Sequence, residues 1–152
     1  LDKHWTQKYV IARESYYFRL LQTDYDTVLS MSADAVGRDY ARLYDGPQAR
    51  DKTLGSGMEW KVKVLSVTLN ADAVGFKASV RFEKTPKRTE AEASDPPQYF
   101  IATLAYEYRL SMKGQEKDLI QNPLGYKVTS YRVDAEIGTV MPTTPMAMLE
   151  RS

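Results

Sequence analysis

Few residues in this chain have side chains that could do chemistry. The 152 residues include one histidine, His4, and no cysteine. Disulfides, thiolate metal ligands and cysteine nucleophiles are therefore excluded. A zinc site would have to be built from carboxylates, and the sequence shows no suitable cluster. We expect His4 to be an incidental surface residue, and we expect neither a metal nor a cofactor.

Two pairs of carboxylates are spaced closely enough to consider acid–base catalysis. They are Glu90 with Glu92, and Asp24 with Asp26. A catalytic acid needs a desolvated or charge-coupled site to tune its pKa, but both pairs lie among polar residues. We expect solvated charges. Nucleophile elbows, phosphate-binding loops and dinucleotide-binding glycine motifs are also missing, so no catalytic residue is predicted.

Helices are predicted in the first third of the chain. The first is marked by apolar residues at steps of three or four. These residues are Trp5, Tyr9, Ala12, Tyr16 and Leu20. A second helix is expected around residues 25–31, with Thr23 or Asp24 as its N-cap. A third is expected over residues 33–44, and QARDKTLGSG is expected to hold one further helical turn.

The pattern changes to strands after residue 57. The first strand alternates from Trp60, but its phase slips near Val64–Leu65, which predicts a bulge. A turn at residues 70–72 leads to a second strand, and residues 84–97 are polar and aperiodic, hence an exposed loop. A third strand begins at Phe100 and is predicted to run to Met112. Helices before an antiparallel meander predict an α+β fold, with a curved sheet around a helical layer.

The fourth predicted strand, from Tyr126 to Ile137, has an ambiguous phase. Tyr126 and Val128 point to one face, and a second apolar set (Tyr131, Val133 and Ala135) points to the other. Tyr131 and Arg132 are then adjacent large side chains on opposite faces. One interpretation makes Tyr131 a residue at the core edge and Arg132 a solvated or ion-paired residue. The other makes one of them a partner contact, since tyrosine and arginine are common interface anchors. Residue chemistry favours the first.

NPLGY, residues 122–126, has the signature of a rigid turn. Asn at the first position, Pro at the second and Gly at the fourth fit a type I turn. Pro123 fixes its own φ angle, and Gly125 lets the chain enter the fourth strand. Leu124 would lie at the tip or fold beneath it. The turn can serve only as an entry to the strand, or it can also present Leu124 to a partner.

Composition bounds the class of protein. The chain is 43% hydrophobic and 27% charged, as expected for a globular domain that can bury a core. Its net charge of +1 argues against nucleic acid as the main partner. No apolar run approaches the ~20 residues that span a bilayer. Because the sequence begins at Leu1, we expect it to be part of something longer. Residues 1–137 are predicted to form one domain, and residues 138–152 an extended or disordered tail.

Four segments together resemble a known family. They are YVIARESYYF, VRFEK, ATLAYEYR and, as the most specific, NPLGYKVTSYRVDAE. The family is the inner-membrane assembly factor of bacterial type IV secretion systems, the VirB-eight type, which includes the TraE-like proteins of conjugative plasmids. The resemblance covers roughly residues 5–137. The family form of NPLGY usually ends in Phe, so Tyr126 is an aromatic exchange.

The resemblance implies a fold, a location and a role. It implies a nuclear-transport-factor-two-like roll, with N-terminal helices packed on a curved four-stranded antiparallel sheet. It also implies a periplasmic domain tethered to the inner membrane by one N-terminal transmembrane helix. The role it implies is that of a non-enzymatic scaffold that forms weak homodimers and binds other channel subunits.

The resemblance also implies contact residues. Partner contacts are expected at the turn, at Thr103 of the third strand and at Tyr131 and Arg132 of the fourth. The turn comprises Asn122, Pro123, Leu124, Gly125 and Tyr126. Dimer contacts are expected at the start of the first helix and in the connection between strands three and four, around Tyr9, Arg13 and Glu116.

Two other functions stay open from the sequence. A roll can enclose a pocket, which would suit a ligand-binding or enzymatic domain if a polar or ionisable group lay inside it. The apolar face of the second strand indicates a filled interior instead. Lys84, Lys87 and Arg88 form a small basic cluster that could contact nucleic acid, but acidic residues surround it, so no direct nucleic-acid binding of consequence is expected.

Overall fold

The structure, a computed structural model, describes residues 1–109 and 122–136. Within these ranges four α-helices precede four strands. The helices are α1 (Asp2–Glu14), α2 (Leu21–Ser30), α3 (Asp34–Arg42) and α4 (Arg50–Leu54), and a 3₁₀ turn spans Phe18–Leu20. The strands are β1 (Met58–Ala71), β2 (Phe76–Arg88), β3 (Gln98–Tyr108) and β4 (Tyr126–Ala135). They pair antiparallel in the order β1-β2-β3-β4, so the predicted α+β fold is confirmed.

The first helix is shorter than its apolar pattern predicts. The backbone becomes extended at Ser15 (φ −75°, ψ 156°), so α1 ends at Glu14. Tyr16 is nevertheless buried, because its backbone pairs with that of Trp60 in β1 through hydrogen bonds of 3.1 and 2.9 Å. Leu20, the last residue of the predicted stripe, is 52% exposed. The prediction that one helix carries all five residues was therefore wrong for Tyr16 and Leu20, which lie beyond the end of α1.

The other helices lie where they were predicted, but the predicted cap is wrong. Helix α2 begins at Leu21 without a side-chain cap, which places Thr23 and Asp24 inside its first turn. Helix α3 falls within the predicted range 33–44. Helix α4 is the further helical turn expected in QARDKTLGSG.

The predicted bulge in β1 is present. Val64 pairs with Phe82 and Ser66 pairs with Arg81, which leaves Leu65 without a partner in β2. A bulge turns the following side chains over and bends the strand. Apolar residues on both sides of Leu65 therefore pack against the same core.

The hairpin between β1 and β2 differs from the prediction. Residues 70–71 still belong to β1, and the turn is at residues 72–75. The loop expected over residues 84–97 is also shorter, because β2 continues through Pro86 to Arg88. Pro86 lies opposite Trp60, whose backbone groups point to Tyr16, and β3 begins only opposite Lys84. The missing N–H of Pro86 therefore costs no ladder hydrogen bond.

A second bulge resolves the ambiguous phase of β4. The pairing with β3 slips between Ser130 and Val128, which leaves Thr129 as the extra residue. Tyr131 and Val133 therefore pack against the same core as Val128. The prediction that these two sets point to opposite faces was wrong, since it assumed an unbroken alternation.

Tyrosines fill much of the space between the helices and the sheet. Tyr9, Tyr16, Tyr40 and Tyr126 each have 0% exposure and are among the largest fully buried side chains. Tyr9, Tyr40 and Tyr126 belong to one core cluster with apolar residues of α1, α2, α3, β2, β3 and β4. The described part of the core is thus aromatic and packed. The described residues do not include Leu110 and Met112 of the predicted third strand. They also do not include Glu116 or the predicted tail 138–152.

Candidate functional site: the 122–126 turn and the adjoining sheet

The predicted turn at residues 122–125 is present. The Gly125 N–H donates to the Asn122 carbonyl at 3.1 Å, which closes the turn. Gly125 has φ +68°, a conformation that costs a side-chain-bearing residue energy. Pro123 is exposed, and Leu124 at the tip is 37% exposed. The turn therefore presents one apolar side chain to solvent from a constrained backbone.

A buried amide holds this turn in place. Asn122 is only 7% exposed. Its Nδ2 donates to the Tyr126 carbonyl at 2.8 Å, and its Oδ1 accepts from the Tyr126 N–H at 2.9 Å. The same Nδ2 lies 3.3 Å from the Ser30 carbonyl, to which it also donates. Asn122 thus acts from inside the fold, and it is the outer residues of the turn that can touch a partner.

The turn is attached to the C-terminal end of α2 at Ser30. The Ser30 carbonyl also accepts from the Lys127 Nζ at 2.6 Å. A cation is favourable there, because the last carbonyls of a helix carry partial negative charge. Next to this contact, the Val128 N–H donates to the Met31 carbonyl at 2.8 Å, and the Ala33 N–H donates to the Val128 carbonyl at 2.9 Å. Sequence spacing gave no sign of Lys127 or of this junction.

Tyr126 lies in the core rather than on a contact surface. Its ring stacks on Tyr106 with centroids 5.0 Å apart, and its hydroxyl is hydrogen-bonded to the Thr6 hydroxyl at 2.8 Å. Burial raises the pKa of its phenol. Tyr126 can therefore influence a partner only by fixing the turn. Tyr106 and Tyr108 donate hydrogen bonds to Asp2. Both bonds lower the pKa of the Asp2 carboxyl, and the bond from Tyr108 has the larger effect.

Thr103 and Arg132 are brought together on the outer face of the sheet. They are direct cross-strand partners in the β3–β4 ladder. Arg132 is exposed and its Nε lies 2.9 Å from an oxygen of Asp134. An exposed ion pair of this kind contributes little to stability. Arg132 is therefore free to exchange Asp134 for a partner group at small cost.

Tyr131 lies on the opposite, inner face. Its hydroxyl donates to Glu14 of α1 at 2.8 Å, and burial followed by the nearby Glu14 charge raises its pKa. Glu14 also pairs with the Lys84 Nζ at 3.1 Å. The geometry therefore agrees with the first interpretation for Tyr131, which is at the core edge. Arg132 is an exposed ion-pair residue, which is compatible with both interpretations.

Arg13 connects α1 to three tyrosines. Its guanidinium carbon lies 4.1 Å from the Tyr131 ring centroid, 5.3 Å from that of Tyr40 and 6.0 Å from that of Tyr9. Its Nη1 donates to the Tyr9 hydroxyl at 2.9 Å, and that hydroxyl is also bonded to Ser32. Tyr9 is fully buried, so of the two described dimer-contact candidates only the half-buried Arg13 has a side chain near the surface.

No catalytic arrangement is apparent among the described residues. In residues 1–109 and 122–136, no three histidine, aspartate or glutamate side chains cluster as they would around a metal ion. Glu90 and Glu92 are exposed, as expected. Asp24 differs from the prediction of a solvated charge, because partial burial raises its pKa to about 6.

The basic cluster near residue 84 is partly neutralised. Lys84 pairs with Glu14 at 3.1 Å, and the Lys87 Nζ lies 3.9 Å from Glu59. Arg88 is exposed. A phosphate-binding face would need several uncompensated cations, and this cluster does not supply them.

The described ranges contain no helix that is both long enough and apolar enough to cross a bilayer. Within the described residues, the 122–126 turn and the Thr103–Arg132 pair are the candidate sites for partner contacts. The pair lies six residue steps beyond Tyr126 along β4, a distance of roughly 20 Å.

Comparison with known proteins agrees with this fold. The VirB8 protein family matches residues 1–136. The type IV secretion system protein virB8 of Brucella abortus is 41% identical over 140 residues, which are 92% of this chain and 57% of that protein. The chain thus spans little more than half the length of that curated relative.

Solved structures of type IV secretion proteins resemble this chain in both sequence and fold. The soluble domain of TrwG type IV secretion machinery from Bartonella grahamii is 38% identical, with a TM-score of 0.81 over 89% of this chain and 92% of that one. TraE in complex with 4-(1H-pyrrol-1-yl)pyridine-2-carboxylic acid is also 38% identical, with a TM-score of 0.81 over 89% and 95%. The nuclear-transport-factor-two-like roll is therefore confirmed. The chain belongs to the VirB8 family of type IV secretion system proteins.

Proposed function

We propose that this domain is a non-enzymatic scaffold in a bacterial type IV secretion system, and that it supports transfer of DNA or effector proteins. In this proposal residues 1–137 form one periplasmic domain, joined to the inner membrane by an N-terminal transmembrane helix. The domain forms weak homodimers and binds other channel subunits. Family membership and the lack of a catalytic arrangement in the described residues support this assignment.

The main support for the proposal is that Leu124 is partly exposed on a turn with a constrained backbone. Asn122 fixes the backbone of the turn from inside the fold, and the apolar tip stays partly exposed. An apolar side chain on a preorganised backbone binds with little loss of conformational entropy. Thr103 and Arg132, paired on the sheet surface, add a hydroxyl and an exchangeable cation. In this scheme Tyr126 and Tyr131 position these groups and do not touch the partner.

Site-specific photocrosslinking in secreting cells tests the partner surface. A photoreactive residue at position 124 or 132 should give crosslinks to other secretion subunits. Val74 is a control for local specificity, because it is 87% exposed in the β1–β2 hairpin, which lies at the same end of the sheet as the turn and is separated from β4 by β3. Crosslinks from position 74 alone, or none from positions 124 and 132, would contradict the proposed surface.

Self-association is tested separately by sedimentation over a concentration series. We expect weak, concentration-dependent dimers that Arg13→Glu weakens further. A strict monomer at high concentration would count against the dimer. Tyr9 is unsuitable for this test, since its buried hydroxyl bonds Arg13 and Ser32 and its replacement would disturb the core.

The alternative of an enzyme or an enclosed ligand site receives less support. A ligand-binding or enzymatic roll would need a polar or ionisable group inside an open cavity. The described interior instead contains packed tyrosines whose hydroxyls are largely hydrogen-bonded, among them those of Tyr9, Tyr16 and Tyr126. We therefore propose binding through the surface.

A further inference from the structure

The connection between α1 and α2 presents two large apolar side chains. Phe18 is 50% exposed and Leu20 is 52% exposed, and the 3₁₀ turn that carries them has no buried residue. Single exposed apolar residues are normal on a protein surface. Two on one short turn beside a groove are the pattern of an interaction site.

A groove runs beside this turn. It has a volume of about 530 Å³ and is formed by the 3₁₀ turn, the start of β1 and the end of β2. Its lining includes Tyr17, Phe18, Leu20, Met58, Glu59 and Thr89. This volume lies in the range of sites that hold a small ligand or a few side chains of a partner. The groove therefore has room for an apolar side chain of a partner.

Glu59 is the acidic residue in the lining of the groove, and Asp24 follows Leu20 by four residues, in the first turn of α2. Glu59 lines the groove, and after burial the charges of Glu59 and Asp24 are the causes that raise the pKa of the Tyr17 phenol. Lys87 partly compensates Glu59 from 3.9 Å. For Asp24 no paired cation is present in the described part of the chain, and burial raises its pKa to about 6.

Arg19 also lines the groove, but its charged group is more exposed to water than that of Asp24. Its side chain is exposed and therefore solvated by water. Asp24 is partly desolvated, so its carboxylate gains more from an incoming cation than Arg19 would gain from an incoming anion. Charge complementarity thus favours a basic group next to the apolar one.

The groove and the 122–126 turn lie at opposite corners of the sheet. The groove is next to Met58 and Arg88, which pair at one end of the β1–β2 ladder. The turn leads into Tyr126, which pairs with Tyr108 at the other end and on the other edge strand. The twelve residue steps along β2 from Phe76 to Arg88 correspond to roughly 40 Å. Partners at the two surfaces would not overlap.

We propose that this groove is a second protein-docking site, which binds a segment of another protein that places an apolar side chain against Phe18, Leu20 and Met58 and a lysine or arginine beside Asp24. The inference goes beyond the proposed function, because neither the turn nor the Thr103–Arg132 pair takes part. A scaffold with both surfaces can hold two different subunits at once.

A pair of synthetic peptides tests the proposal with the whole chain. One is a fluorescein-labelled nonapeptide in which leucine and phenylalanine alternate with lysine, and its twin has glutamate in place of lysine. We expect the lysine peptide to bind and the glutamate peptide to bind at least ten-fold more weakly. Amide NMR shifts on binding should concentrate at residues 17–20, 56–59 and 89.

Variants show whether the groove is responsible. The double change Phe18→Ser and Leu20→Ser should weaken binding of the lysine peptide at least ten-fold, and Asp24→Asn should weaken it several-fold. Val74→Ser is the control and should bind as the parent does. Thermal melts of each variant confirm that the fold is retained, and Asp24→Asn preserves the shape of the residue.

Three results would overturn the proposal. The first is equal affinity for the two peptides, and the second is an equal loss of affinity in Val74→Ser and in the groove variants. The third is tighter peptide binding after truncation following Ile137, because the chain's own C-terminal residues would then be the occupant of the groove. Unchanged affinity after truncation supports docking of another protein.

Discussion

Replacing Asn122 by alanine should destabilise the domain by about 2–4 kcal/mol. Two good hydrogen bonds to the Tyr126 backbone are lost, at 2.8 and 2.9 Å, together with a longer one to Ser30. A neutral hydrogen bond contributes about 1 kcal/mol net, and a buried N–H left without a partner costs about 1–3 kcal/mol. The Tyr126 N–H is such a group, because the whole residue is buried.

Urea denaturation followed by tryptophan fluorescence measures this loss. We expect a lower midpoint with an unchanged slope, since the surface exposed on unfolding stays the same. Leu124→Ser is the matched control: it changes the exposed tip of the same turn and should shift the free energy of unfolding by less than about 0.5 kcal/mol. An Asn122→Ala loss below about 1 kcal/mol, or equal to that of Leu124→Ser, would refute the view that this amide holds the turn.

Three further predictions concern the surroundings of the site. Tyr126→Phe and Thr6→Val should each lower the free energy of unfolding by about 1–2 kcal/mol, because each change leaves a buried hydroxyl without its partner. The double variant should have a stability close to that of the parent, and additive losses in chemical denaturation would argue against the Thr6–Tyr126 bond. Arg13→Lys should cost about 1 kcal/mol, since lysine keeps the charge but loses the planar contact with Tyr131, and an unchanged thermal midpoint would count against that contact. Asp24 has a folded pKa of about 6, above its ordinary value of 3.8, so folding favours its neutral form and its contribution to stability is lost as the pH rises from about 4 to 6. Asp24→Asn should therefore stabilise the domain by about 1 kcal/mol at pH 7, after allowance for its partial exposure, and by nothing at pH 4; the same gain at both pH values would be inconsistent with this pKa.

Local periodicity was enough to predict much of the fold. The order of elements and the bulge at Leu65 follow from steps of 3.6 and 2 residues, which are properties of short segments. The end of α1 could not be predicted in this way. Tyr16 continues the helical spacing, but its backbone pairs with Trp60, a contact distant in sequence. Likewise, two phases were visible in the fourth strand, and only pairing with β3 shows that a bulge at Thr129 turns both to the core.

The candidate site was predictable to a similar degree. The turn at 122–125 follows from residue types alone, since Pro123 and Gly125 restrict the backbone. The burial of Asn122 and its contact with the end of α2 depend on tertiary packing, as does the pairing of Thr103 with Arg132. Residue chemistry could name these residues but could not separate those that face a partner from those that hold the site in place.

A transfer assay tests whether Leu124 and Arg132 form a partner surface of a secretion scaffold. A strain lacking the parent gene would receive the full-length protein with Leu124→Asp and Arg132→Glu, or with Val74→Asp as the control. Both side chains of the test variant are exposed, so folding and protein level should match those of the control. We predict that the double variant fails to restore transfer while the control restores it. Normal transfer by the double variant at an equal protein level would show that Leu124 and Arg132 do not form a required partner surface.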